Sequence, residues 1–212
     1  MPLFGPRPSA APPLEIEIGF GKGRFLLDAA RRHPERRYLG LESAREYFRI
    51  ARSRARRDRL DNLTLVAAEA LYFLATCLAP ACAVALHVYF PDPWPKARHR
   101  RRRLLRPASV DLLLGLLEPG GVLYFASDHR EYAVEVRELL AAHPAVELRE
   151  REQAWPDGPR TNYEIKYESE ARPIVRLEAR LLDGVDLLHP AGVAAIVAGP
   201  ARVPGLESDG DG

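Results

Sequence analysis

Short apolar runs alternate with helix-like stretches along most of this chain, and that alternation limits its fold more than any other feature. Residues 14–18, 38–41, 63–66, 83–89 and 122–126 read as strands. Helical stretches run from about 25 to 33, from 43 to 57 with Ser43 as N-cap, from 107 to 117 and from 131 to 142. Strands and helices in this order form right-handed βαβ units. Residues 163–167 and 174–181 break the alternation and read as two strands in an antiparallel pair at the sheet edge. The expected fold is α/β, a doubly wound, Rossmann-like, mostly parallel seven-stranded sheet with an antiparallel edge hairpin.

The chain of 212 residues suits one domain over residues 1–182. Residues 1–13 read as a short extended lead-in without a signal-peptide pattern. From residue 183 the composition turns to Gly, Pro, Ala and Val, and the last six residues are Glu-Ser-Asp-Gly-Asp-Gly. We therefore expect a C-terminal extension, 183–212, with a disordered end. No apolar run is long enough to span a bilayer, so no membrane partner is expected. Cys77 and Cys82 make neither a disulfide framework nor a metal set, which suggests a reduced, cytoplasmic protein without a metal. The oligomeric state is expected to be monomer or homodimer.

In such a sheet ligands bind outside the carboxyl ends of the strands. Acids recur there: Glu17, Glu42, Glu69, Asp92 and Asp128. A glycine turn, Gly19-x-Gly21-x-Gly23, follows the first strand. It departs from the dinucleotide fingerprint, because Arg24 stands where the third glycine would be. Acids do not suit a pyrophosphate. They suit S-adenosylmethionine, which carries an ammonium and a sulfonium. Glu42 is placed to accept hydrogen bonds from a ribose diol, and Glu69 from the adenine amino group or the amino acid end.

The fourth strand runs into Phe90-Pro91-Asp92-Pro93-Trp94-Pro95-Lys96. Prolines at 91, 93 and 95 forbid a helix and hold Asp92 at a defined point. Trp94 offers a stacking surface. Between Lys96 and Arg106 seven of eleven residues are Lys or Arg and none is acidic, although the whole chain carries a net charge of only +2. An acid, an aromatic and a phosphate-attracting run side by side suggest chemistry on a nucleic-acid base.

The segments Glu17 to Gly23, Gly40-Leu41-Glu42, Phe90 to Lys96 with Arg98 to Arg102, Ser127-Asp128 with Tyr132, and Thr161-Asn162-Tyr163-Glu164 resemble the bacterial-type tRNA (guanine-N7)-methyltransferases. The resemblance covers residues 14 to 181. It implies a class I methyltransferase fold and transfer of methyl from S-adenosylmethionine to N7 of guanine 46 in the tRNA variable loop. It implies cofactor contacts from Glu17, Gly19, Gly21, Gly23, Glu42, Glu69 and Asp92, with Asp92 as the catalytic candidate. Lys96, Asp128, Thr161, Asn162, Tyr163 and Glu164 match positions assigned to the guanine or its tRNA, with Asp128 and Glu164 as candidates for holding the base. The run Arg98, His99, Arg100, Arg101, Arg102 and Arg103 would hold the RNA backbone. The chain differs from the family pattern at Glu69, where Asp is usual, and at Asn162, where Lys or Arg is usual. Two other readings stay open: methylation of an exocyclic amino group, and a non-catalytic RNA-binding protein on the same scaffold.

Overall fold

A computed structural model describes residues 11–184 and Leu187. The expectations for residues 1–10 and for almost all of the C-terminal extension lie outside the described residues. Seven strands form one sheet: β1 (Leu14–Ile18), β2 (Arg37–Glu42), β3 (Leu63–Ala67), β4 (Ala83–Tyr89), β5 (Leu117–Ser127), β6 (Val146–Arg151) and β7 (Val175–Leu181). Their order is β3-β2-β1-β4-β5-β7-β6. The first five are parallel, and β7 runs antiparallel to both β5 and β6. The chain moves outward from β1 through β2 to β3, then returns to place β4 on the other side of β1. That reversal opens a crevice at the carboxyl ends of β1 and β4.

The described residues also form six α-helices: α1 (Arg24–Arg32), α2 (Arg45–Arg57), α3 (Ala70–Cys77), α4 (Pro107–Gly115), α5 (Arg130–Ala141) and α6 (Asn162–Ser169). One face of the sheet is aliphatic: Ile16, Ile18, Leu86, Val88, Leu123 and Phe125 share a core with the apolar residues of α3, α4 and α5. The other face is polar and aromatic. Glu15, Glu17, His87 and Tyr89 point there, and all are buried. Period-two alternation thus sorts β1 into two faces, but neither face meets water.

Four sequence expectations need correction. Residues 163–167 are part of helix α6, not a strand. Thr161 caps that helix by accepting from the Glu164 N–H at 3.0 Å, so the Thr-x-x-Glu spacing outweighs the alternation of Tyr163, Ile165 and Tyr167. The edge strand that forms the antiparallel pair with β7 is instead β6, which the sequence reading missed because its short apolar alternation is embedded in charge. Helix α4 ends at Gly115, and β5 begins at Leu117, before Pro119-Gly120-Gly121. Leu117 pairs with Ala83 and Val122 with Ala85, so the intervening residues bulge out of register. Finally, Ala44 rather than Ser43 is the N-cap of α2, and the Ala44 N–H is taken by the Glu42 carboxylate at 2.8 Å.

Candidate active site

The crevice holds a cleft of about 280 Å³ between β1, β4 and α6. Glu17, Gly19, Gly21, Phe90, Thr161 and Tyr163 are among its lining residues. Each arrives for a local reason. Gly21 adopts φ +53°, which favours glycine, and its N–H donates to Glu42 Oε2 at 2.8 Å. Glu42 therefore ties the glycine turn to the start of α2 with both oxygens. Gly23, at φ +75°, is the N-cap of α1 and directs that helix's positive end back toward β1.

Glu17 faces that helix end. It is 3% exposed, and the Leu26 N–H donates to its carboxyl. Its Oε2 is buried without a hydrogen-bond partner. Burial, then the nearby negative charge of Glu42, push its pKa up to about 8, against the pull of Arg160. An acid on the cleft wall with one unsatisfied oxygen fits a ligand that brings a cation or an N–H donor. The ammonium of S-adenosylmethionine is such a group, so the residues present accommodate that cofactor.

A buried hydrogen-bond chain supports the cleft from below. Arg160 donates to the Tyr89 hydroxyl at 2.5 Å. Tyr89 lies 2.8 Å from His87 Nδ1, and His87 Nε2 lies 2.9 Å from Glu15 Oε2. Arg36 closes the chain by an ion pair with Glu15. Burial holds the His87 pKa below its ordinary value, outweighing Glu15. Glu15, though buried, is pulled down to about 2 by His87 and Arg36. A neutral His87 donating from Nε2 and accepting at Nδ1 gives every group one consistent role. Arg160 also lies over the Trp155 ring at 4.3 Å and the Tyr124 ring at 4.9 Å. It anchors the start of α6, which presents Thr161, Asn162 and Tyr163 to the cleft. The sequence reading missed Arg160, and its only signal was adjacency to Thr161.

The remaining candidates separate. Asp92 is exposed on the Pro-Asp-Pro loop, two residues beyond the cleft-lining Phe90, and has no partner among the described residues. Phe90 and Trp94 take φ +51° and +41°, which bulky side chains seldom adopt. The loop is nevertheless fixed at both ends: the Phe90 N–H donates to the Ala126 carbonyl at 2.7 Å, and Arg103 Nε to the Pro93 carbonyl at 2.7 Å. Glu69 caps α3 by accepting from the Leu71 and Tyr72 N–H groups. Lys96 is exposed at the end of the Pro-Asp-Pro loop.

Three of the expected ligand-binding side chains are engaged within the protein. Glu164 is 0% exposed, with one oxygen on Arg176 Nε at 2.7 Å and the other on the Arg160 N–H at 2.8 Å. Both oxygens thus help to lock α6 in place. Asp128 is held by Arg172 at 2.5 Å, and that arginine lies over the Tyr167 ring. Arg103 is 2% exposed and pairs with Glu135, so it fastens the loop to α5 rather than meeting phosphate. Arg100 also pairs, with Glu131 and Glu135. In the basic run, Arg98, Arg101 and Arg102 are exposed without an acidic partner among the described residues, with Arg102 stacked at 4.9 Å over Trp94 and His99 edge-on to the same ring. Phe90, Tyr163 and Tyr167 form an aromatic cluster at the cleft mouth, with Tyr163 53% exposed.

A family model described as "Putative methyltransferase" matches residues 11–177. A tRNA (guanine-N(7)-)-methyltransferase of Treponema pallidum is 41% identical over 171 residues, which is 80% of this chain and 68% of the relative. This chain belongs to the tRNA (guanine-N7)-methyltransferase family. A second such methyltransferase, from Nocardia farcinica, is 38% identical over 86% of this chain and 64% of its own length. The chain thus spans about two thirds of the length of the relatives it matches. The crystal structure of an S-adenosylmethionine-dependent O-methyltransferase from Thermotoga maritima superposes with a TM-score of 0.57 at 16% identity, covering 81% of this chain and 61% of that one. That likeness shows the class I methyltransferase fold. Among the described residues no helix is long and apolar enough to cross a membrane.

Proposed function

We propose that the chain methylates N7 of a guanine in tRNA, guanine 46 of the variable loop, in the cytoplasm. The observation that carries the reading is the Glu17 carboxyl, buried on the cleft wall with one oxygen unsatisfied, in a chain of this family. S-adenosylmethionine supplies a methyl on a positively charged sulfur. Glu17 would receive its ammonium, and Glu42, already fixing the glycine turn, would accept from the ribose hydroxyls with its free lone pairs. Gly19 and Gly21 let the backbone pass close to the cofactor.

Guanine N7 has an in-plane lone pair and no proton. Its attack forms the N7–C bond as the C–S bond breaks, and the positive charge passes from sulfur to the purine. No general base is required. The protein's tasks are in-line alignment and support of the moving charge. Asp92, exposed and unpaired on a rigid loop, is the proposed group beside the purine. N7 lies on the major-groove edge of the base, and bringing it into the cleft in line with the methyl requires the base to leave its stack. Phe90, Tyr163 and Tyr167 offer it a face at the cleft mouth, with Thr161 and Asn162 at its edge. Lys96, Arg98, Arg101 and Arg102 would hold flanking phosphates. Residues 1–182 would then be the catalytic unit.

Incubation with unmodified tRNA and methyl-labelled cofactor tests the reading. Borohydride–aniline cleavage should cut the RNA at one guanine in the variable loop. Label on an exocyclic amino group, or tRNA bound without any transfer, would replace it with one of the two alternatives.

A further inference from the structure

Helix α2 begins at the cleft and carries a charge pattern that the reading above leaves unused. Arg45, Arg49, Arg52 and Arg56 follow one another at spacings of four, three and four, which places them on one helix face. All four are exposed. None has an acidic partner within 4 Å among the described residues. The other α2 arginines are occupied: Arg57 binds Asp58, and Arg54 donates to the Lys22 carbonyl at 3.2 Å. Asp58, which could have neutralised the stripe, is taken by Arg31 and Arg57. Glu46 is exposed on a different face of the helix.

Four aligned guanidiniums extend over about 16 Å of helix. Their repulsion costs stability unless a polyanion covers them. Their outer end borders a second, shallow depression of about 580 Å³ between α2 and the edge strand β3. Arg52, Arg56 and Arg59 line it, with Thr64, Leu65 and one acid, Asp61. Near the start of α2 the cleft is lined by Tyr47, which lies on the opposite side of the helix from the stripe, together with Lys22 and Arg24. The stripe therefore runs along the flank of α2 on the β2–β3 side and ends in the depression beside β3. The exposed arginines of residues 98–102 lie after β4, on the other side of β1.

We propose that the α2 arginine stripe and the groove beside β3 bind the phosphate backbone of the RNA whose base enters the cleft. The substrate is thereby gripped on both sides of the crevice. The proposal rests on the nucleic-acid reading above. Arginine forks match phosphate oxygens, and a regular row of them suits successive phosphates of one strand. The stripe positions the RNA and carries no base specificity.

The test uses the full chain and a fluorescent, unmodified tRNA transcript, with affinity measured from about 50 to 300 mM salt. Changing Arg45, Arg49, Arg52 and Arg56 together to Gln should weaken binding at least tenfold and lower the slope of log affinity against log salt by about three, at roughly 0.7–0.9 per lost phosphate contact. Changing the same four to Lys should restore most of the slope, because charge is kept. Cofactor affinity by calorimetry should stay unchanged in both. Single variants Arg49→Glu and Arg52→Glu give the same direction if the quadruple variant folds poorly. An unchanged slope in the Gln variant overturns the proposal, as does an equal loss in the Lys variant. If the wild type binds tRNA but leaves no N7-methylguanine, the catalytic reading fails while the salt slope still judges the stripe.

Discussion

Replacing Glu17 with Gln should make the ligand-free protein more stable and its cofactor site worse. Burial and Glu42 raise the Glu17 pKa from the ordinary 4.5 to about 8. Between those pH values the unfolded chain has released a proton that the folded chain keeps. Stability then falls as pH rises, by ~1.4 kcal/mol per pH unit, reaching about 5 kcal/mol by pH 8 and about 3 kcal/mol at pH 7. Below pH 4.5 both states are protonated and the penalty vanishes. Gln carries no such proton, so Glu17→Gln should melt close to wild type at pH 5 and about 10 °C or more above it at pH 8. Melting followed by circular dichroism across this range measures the gap. Calorimetry should give the opposite sign for function. Cofactor binding to the wild type should release a proton near pH 7 and tighten up to about pH 8, whereas the variant should bind much more weakly without that pH dependence. A melting gap that stays constant from pH 5 to 8 would refute the titration argument. Unimpaired binding by the variant would refute the placement of the ammonium.

Other perturbations separate chemistry from architecture. Asp92→Ala should abolish most turnover in a tritiated methyl-transfer assay while changing unfolding free energy by no more than about 0.5 kcal/mol, since the residue is exposed and unpaired. Arg103→Met should cost about 2–4 kcal/mol in chemical denaturation and slow turnover, because Pro93 loses its donor and Glu135 keeps only the longer contact with Arg100; the salt slope of tRNA binding should not move. Gly40→Ala should lower stability by about 1–3 kcal/mol and loosen cofactor binding, because a methyl there would collide with Leu26 Cδ2 and lie 2.6 Å from Phe20 Cδ1 beneath the glycine turn.

The strand–helix alternation, the glycine turn and the rigidity of the Pro-Asp-Pro loop were legible in the sequence, because each depends on backbone preferences and near neighbours. The crevice followed from them, since parallel βαβ units leave a gap where strand order reverses. Charge was different. Arg98 to Arg103 look equivalent in the chain, yet Arg103 is buried against Tyr132 and Glu135 while Arg98, Arg101 and Arg102 face solvent. Which arginine stays free depends on where α5 puts its glutamates, and no local pattern encodes that. Glu164 likewise reads as a spare carboxylate until Arg176, twelve residues on, folds against it. Only the tertiary structure could place Arg160 under the cleft or raise the Glu17 pKa, because burial and long-range pairing, not residue type, set the energy of a charge.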